Sequence, residues 1–530
     1  MSRDLFAAEA LGQIPKILTL LDRNPHSPSY GCFDRNFWHY KIIDFPSGMA
    51  QEFVWPLALA HETDIPDNPY HKNPAIREWV EAGISFAARS AHPDGSCDDY
   101  FPYERAAGAS AFSLLACVES YRLLGLVDYE ALKFLERRAN WLANHYESGR
   151  LANHEALIIL GLERLGQLLQ TSKWRRIQAA RLDRLLSWQS EEGWFREYEG
   201  CDPGYHTLTL SCLAELDRLK PDDRLKTAIA KGVELAGHFI HPDGTYGGEY
   251  GSRNTYNFFP HGFELAGQWL PDALRINDQF LKGLKNGLAP CYADDHIIGH
   301  HTWNYLLAWR DFAGDRPQPM PRDVASIWLK EAKILIKRRP GTELYVGLNK
   351  GGVFKLFRDD KLVISDTNIS LQVRQGKKIR NAVSHLIGPA TVTVEQDEIS
   401  IEGQLGWAKQ TQMSPLKLIV LRVVMLTFGR FFPNLIRKLL QKMLIVGKQD
   451  APFQFRRRFR WEDNQWQVTD ELLAPSWRGV IAAGIGASQT SIYVVMSRTF
   501  QAGQLEPWLD LTADIKKLTP GKSLRVERFF

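Results

Sequence analysis

Four glycine-centred turns recur along the first three hundred residues, and their spacing limits the folds open to the chain. HPDGS (92–96), ESGRLANHEAL (147–157), SEEGW (190–194) and HPDGT (241–245) place Gly95, Gly149, Gly193 and Gly244 at intervals of 54, 44 and 51 residues. Each turn leads into a segment of helical apolar spacing, over 108–124, 156–169, 207–219 and 263–270, and Asp294-Asp295 continues the rhythm before 302–312. Second helices are expected between them at 129–144, 174–188 and 224–239. A two-helix unit repeated about every fifty residues cannot bury its apolar face alone and must stack on its neighbours. The pattern predicts an incomplete (α/α)6-type toroid over 61–320, its long turns gathered at one end as a cleft.

Beyond residue 340 the periodicity changes from helical to alternating. Segments 345–357, 361–373, 390–405, 466–473 and 491–500 alternate apolar and polar residues and are rich in Val, Ile and Thr, which predicts an antiparallel β-sandwich over 341–530. The fold class is therefore multidomain α and β. RPQPMPR (316–322) opens a linker expected over 321–340. Charge divides at the same place: residues 331–530 carry 31 Lys and Arg against 18 Asp and Glu, whereas 1–330 carry 34 against 43. A basic second half attracts a polyanion or an anionic membrane, or simply docks on the acidic first half. Within it, 414–448 is a helical insertion, strongly apolar, with Lys417, Arg422, Arg430, Arg437, Lys438 and Lys442 and no acidic residue. It reads either as a peripheral membrane or protein contact or as a buried cap on the sandwich. Residues 1–60 form an N-terminal helix and an aromatic loop packing on the toroid. In that loop Arg35, Trp38 and His39 are candidate sugar-binding groups, since aromatic faces stack on sugar rings while polar groups bond hydroxyls.

Several classes are disfavoured. The six cysteines form no CxxC motif and show no zinc-ligand spacing with histidine, so neither a disulfide framework nor a metal site is expected. Asp4, Glu9 and Lys16 interrupt the first 22 residues, and no run of about 18 uncharged apolar residues exists. A cytoplasmic or membrane-peripheral protein is expected, with no nucleic-acid partner.

The chemistry-bearing residues cluster around two of the turns. Asn153-His154 sits in RLANHEAL at a helix start, and EEGWFREYEGCDPGYH ends in Tyr205-His206 at the mouth of the next repeat. GGEYGSRNT (247–255) brings Arg253 just ahead of the β-region. These motifs, with the helical-then-β layout, resemble the heparinase II/III-like polysaccharide lyases and their alginate-lyase relatives. The resemblance implies β-elimination on a uronate-containing anionic glycan, with Asn153 and His154 gripping the uronate carboxylate and Tyr205 transferring protons. His206 is a further candidate catalytic group, and Arg253, Trp194, Glu197, Tyr256 and His261 are candidate substrate contacts. The chemistry suits these residue types: donors held against the carboxylate stabilise the developing enediolate, while a base and an acid move one proton each. No cofactor is needed.

Plainer readings stand beside these. Asn153 is also a plausible helix cap with a paired histidine, and Arg253 a clamp on Glu249. His261, His300 and His301 also suit packing roles. His385 is the only histidine after His301, which leaves no two-histidine metal site in the β-region. Two alternatives remain open: an inverting glycoside hydrolase using Glu197 and Asp99, and a non-catalytic anionic-glycan-binding or polysaccharide-assembly protein.

Overall fold

The computed structural model describes residues 2–198, 200–292, 295–319, 321–386, 388–408, 414–441, 449–486, 499–501 and 505–530. Its first part is helical: α1 (Asp4–Leu20), α2 (Arg35–Trp38), α3 (Val54–Glu62), α4 (Pro74–Ser90), α5 (Ala107–Leu123), α6 (Tyr129–Asn144), α7 (Ala152–Leu168), α8 (Arg175–Leu186), α9 (Pro203–Leu219), α10 (Asp223–Phe239), α11 (His261–Ala266), α12 (Pro271–Lys285) and α13 (Asp295–Arg310). From α3 onward each odd-numbered helix packs on the next odd-numbered one, and α13 packs back on α3. The circuit closes, in contrast to the incomplete ring expected. The segment that closes it is α3, which straddles the expected boundary at residue 60. The even-numbered helices from α4 to α12 flank this circuit, and α1 flanks α13.

Burial follows composition. On α5 and α9 nearly every residue is buried, as befits helices apolar or small on all sides, whereas α6, α10 and α12 bury a single stripe. The repeated glycines have a physical cause. Gly95, Gly149, Gly193 and Gly244 all adopt φ between 88° and 99°, and in three of the four turns the glycine N–H donates to the carbonyl three residues earlier (His92, Ser190, His241). The same three glycines press against the backbone of the following flanking helix, at Arg138, Lys231 and Gly283, where a side chain has no room.

Two short hairpin strands, β1 (Arg196–Glu197) and β2 (Gly200–Cys201), pair in the loop before α9, and β3 (Cys291–Tyr292) precedes α13. The second part holds two antiparallel sheets. Strands β4 (Ala325–Leu329), β5 (Ile334–Arg339), β6 (Thr342–Gly347), β7 (Val353–Arg358) and β8 (Lys361–Asp366) form a five-stranded meander. Residues 321–340 are therefore not a linker; their Ile-Leu-Ile alternation carries β4 and β5 into the sheet. The nine-stranded sheet contains β9 (Ile369–Gln375), β10 (Lys378–Val383), β11 (Thr391–Val394), β12 (Glu398–Ala408), β13 (Asp450–Glu462), β14 (Gln465–Leu473), β15 (Val480–Ile485), β17 (Leu509–Asp510) and β18 (Leu524–Phe529). A two-residue strand, β16 (Thr499–Phe500), pairs instead with β3. The rest of the strand expected over 491–500 lies outside the described residues.

The five-stranded sheet is shared between two cores. Ile334, Ile336, Tyr345 and Phe357 join the helical core, while the alternating Leu335, Leu344, Val346, Phe354 and Leu356 join the core of the nine-stranded sheet. Strand β6 is buried along its whole length for this reason. The helical and β-rich parts thus meet over a shared apolar layer, and the loops before α9 and α11 bond to the β-region through Glu192, Glu249 and Gly251.

Candidate active site

The cluster is assembled at the N-terminal ends of α7 and α9. Both helices begin four residues earlier than apolar spacing predicts, so Asn153, His154, Tyr205 and His206 all lie in first helical turns. For α9 the cause is local: Asp202 caps the helix by accepting from the Gly204 N–H at 3.1 Å, and Pro203 pre-sets the first turn. For α7 the cap is Leu151, without a side-chain bond, and Asn153 lies inside the turn.

Asn153 is held by the β1 hairpin. Its backbone N–H and its side-chain Nδ2 both donate to Glu197 Oε1, at 2.9 and 2.8 Å. One Nδ2 hydrogen remains for a ligand. Asn153 Oδ1 and Glu197 Oε2, both buried, have no hydrogen-bond partner among the described residues. His154 binds Glu147 Oε2 through Nδ1 at 2.7 Å, and its ring lies against Gly108 of α5, where a Cβ would come within 2.5 Å of Cε1. Arg253 links the rest. Its Nε stands 3.6 Å from Asp202 Oδ2, and its guanidinium lies 4.6 Å from the Tyr205 ring centre and 5.4 Å from that of Tyr198.

Electrostatics set the cluster apart from an ordinary ion-pair network. Burial pushes the Glu197 carboxyl up to about 7, against the opposing pull of Arg253 and the Asn153 N–H. Burial likewise raises Asp202, only partly offset by Arg253 and the Thr255 hydroxyl. From the β-region, Lys350 donates to the carbonyls of Glu249 (2.6 Å) and Gly251 (2.9 Å), and burial lowers its ammonium to about 7. Burial and then Lys350 bring His385 down to about 3. Shifted acids and bases therefore meet at one end of the helical layer, a pattern found at proton-transferring sites and in structural ion-pair networks alike.

The fold is shared with two polysaccharide lyases. The chain superposes on a Paenibacillus xanthan lyase (TM-score 0.51, 12% identity, 91% of this chain and 46% of that one). It also superposes on the Streptomyces coelicolor chondroitin AC lyase in complex with chondroitin sulphate (TM-score 0.56, 10% identity, 99% of this chain and 79% of that one). The chain thus spans less than half the length of the xanthan lyase. No family model and no curated protein matches the sequence.

Other expected residues lie elsewhere. His206 turns to α10, where Nε2 meets the Gly232 carbonyl at 2.9 Å; burial lowers its ring to about 4, so it donates there as a neutral imidazole. Trp194 donates to Glu192, whose carboxylate also accepts from the Glu331 and Ala332 N–H groups at the seam between the helical and β parts. Tyr256 bonds Glu249, which pairs with Lys355 at 3.2 Å; the expected Arg253–Glu249 clamp is replaced by Arg253–Asp202. Glu155 is bound twice by Arg181, at 2.9 and 2.8 Å, and does not pair with His154. His261 bonds Asp311 at 2.8 Å, among the charged groups near the C-terminal ends of α5, α7 and α9. Along α7 that is eleven residues from Asn153, roughly 16 Å.

Arg35 meets the Tyr40 hydroxyl at 3.2 Å, Trp38 donates to the Leu20 carbonyl, and His39 packs edge-on to both aromatic neighbours. Of these three, only Trp38 lines a neighbouring groove of about 640 Å³. Asp202, Gly108 and Lys350 were not anticipated. An Asp-Pro pair before an apolar helix is a cap signal and could have revealed the first; nothing local announces the other two. Among the described residues no His, Cys, Asp or Glu cluster is arranged to hold a metal ion.

Proposed function

We propose that the protein is a polysaccharide lyase cleaving a uronate-containing anionic glycan by β-elimination, on the heparinase II/III-like pattern, with the closed helical circuit read as an α/α toroid and the two sheets as a β-sandwich. The observation that carries this reading is the linked set Asn153–Glu197, Arg253–Asp202 and Arg253–Tyr205 at the mouths of neighbouring helices. The free Nδ2 hydrogen of Asn153 and the His154 ring hold the uronate carboxylate and spread the charge that builds as the adjacent proton leaves. Glu197 orients the amide. Tyr205 takes that proton and returns one to the departing glycosidic oxygen, and the guanidinium over its ring stabilises the phenolate between the two steps. The bond broken is the sugar C–O bond; the electron pair of the C–H bond becomes the new C=C.

The hydrolase reading is not favoured. Glu197 is bonded to Asn153, while Asp99 accepts from Ser47 in the loop before α5, two repeats away. The experiment is incubation with uronate polymers, following the ultraviolet absorbance of the unsaturated product. New absorbance lost in Tyr205→Phe supports the proposal. Binding of such polymers with no product at any pH favours a glycan-binding protein on the same scaffold.

A further inference from the structure

The described part of the insertion, residues 414–441, consists of α14 (Pro415–Val424), a π-helical turn (Met425–Gly429) and α15 (Pro433–Gln441). Among its described side chains only Met425 and Ile436 are buried, with Gly429. Leu416, Ile419, Val423, Phe428, Phe431 and Phe432 stand between 48% and 70% exposed. Soluble monomers rarely present so many large apolar groups side by side, and such patches mark contact surfaces. The arm is held against the helical part near the end of α14, where Arg422 pairs with Asp44 at 2.9 Å and lies 5.3 Å from the Phe45 ring centre. Leu426 lines the groove shared with Trp38, Phe45 and Tyr103.

We propose that this arm seats the protein on the surface of an anionic phospholipid bilayer. Its charge selects that occupant. Residues 414–441 contain Lys417, Arg422, Arg430, Arg437 and Lys438 and not one carboxylate. Apolar groups interspersed with cations match an acyl layer beneath negative headgroups. A second copy is a poor match, because two such arms would face each other with like charge only. The ten residues of α14 reach roughly 15 Å, half of a hydrocarbon core of about 30 Å, so the arm lies on the membrane instead of crossing it. No helix among the described residues is long and apolar enough to cross a membrane. Docking places the groove that Leu426 lines beside the headgroups. The inference stands whether or not the protein is a lyase.

The test is co-sedimentation of the full chain with vesicles of equal parts phosphatidylglycerol and phosphatidylcholine. Binding is expected to exceed that to pure phosphatidylcholine, to weaken with salt, and to fall roughly fivefold for each cation removed, as in Arg430→Gln. Ile419→Glu with Phe431→Glu is expected to abolish it while circular dichroism and the melting curve stay unchanged, because both side chains are exposed. The proposal is overturned if the folded wild type stays in solution with anionic vesicles, or if the double variant binds them equally well. It is overturned too if the wild type forms dimers that the double variant does not.

Discussion

The helical layer carries two clusters of buried charge at opposite ends of the same helices, and they behave in opposite ways. Near the C-terminal ends of α5, α7 and α9, Arg164 bridges Glu119 and Glu215, Arg218 supports Glu215 at 2.7 Å, and His261 and Arg310 both bind Asp311 at 2.8 Å. Burial would raise these carboxylates, but His261, Arg164 and Arg218 outweigh it at Glu215, and His261 and Arg310 do so at Asp311, so both fall below the usual range. At the N-terminal ends burial outweighs the pull of Arg253 on both Glu197 and Asp202, and both rise. The same ingredients give carboxylates held below their ordinary values at one end and above them at the other. What differs is whether the neighbouring cations outweigh burial at each carboxylate.

The sharpest way to break this contrast is to remove one group from each end. Tyr205→Phe is expected to reduce lyase turnover about 10³-fold, the usual worth of a positioned acid–base group, with glycan binding kept. Steady-state rates and a binding isotherm on the same sample check this. Arg164→Ala should do the reverse. It takes one cationic partner from each of two buried carboxylates, leaving Arg122 on Glu119 and Arg218 on Glu215, and is expected to lower stability by about 1–3 kcal/mol in denaturant melts, while activity per folded molecule stays unchanged.

The two ends also titrate with opposite sign. The Glu197 carboxyl goes from an ordinary 4.5 to about 7 on folding, so folding favours its protonated form. Its contribution to stability is fullest below about 4.5 and declines as pH rises towards 7, by about 3 kcal/mol in all. Glu215 and Asp311 are held below their ordinary values, so their contribution is present at neutral pH and disappears as the solution becomes acid. Glu197→Gln should therefore flatten the stability profile between pH 4.5 and 7, and Glu215→Gln should flatten it only in the acid range. Denaturant midpoints measured across pH for the two variants decide it; identical profiles would erase the distinction.

A smaller effect sharpens the pocket side alone. Gly108→Ala puts a methyl where the His154 ring lies, and a shift of about 1 Å is expected to cost up to about 10²-fold in turnover. If the rate is unchanged, His154 does not need its present position.

Much of the layout was legible in the residues. Positive-φ glycines at a near-constant interval announced the turns, alternation at 345–357 announced strands, and Asn153, His154, Tyr205 and Arg253 stood out as proton-handling types in adjacent repeats. Their rivals were harder to sort. His206 adjoins Tyr205 in sequence but points to α10, because successive residues on a helix face about 100° apart. His261, a candidate substrate contact that also suited a packing role, pairs with Asp311 at the other end.

Local periodicity by itself determined the helix–turn rhythm and the passage from helical to β texture, since both depend on neighbours a few residues apart. Only the tertiary structure decided that Arg253 faces Asp202 and Tyr205 instead of Glu249, that Gly108 yields its space to His154, and that Lys350 of the β-region closes the cluster from behind. Those partners are tens to hundreds of residues apart. Their meeting is set by how the helical circuit closes and where the sheet docks, and the balance of buried charge that separates a clamp from a site exists only once they meet.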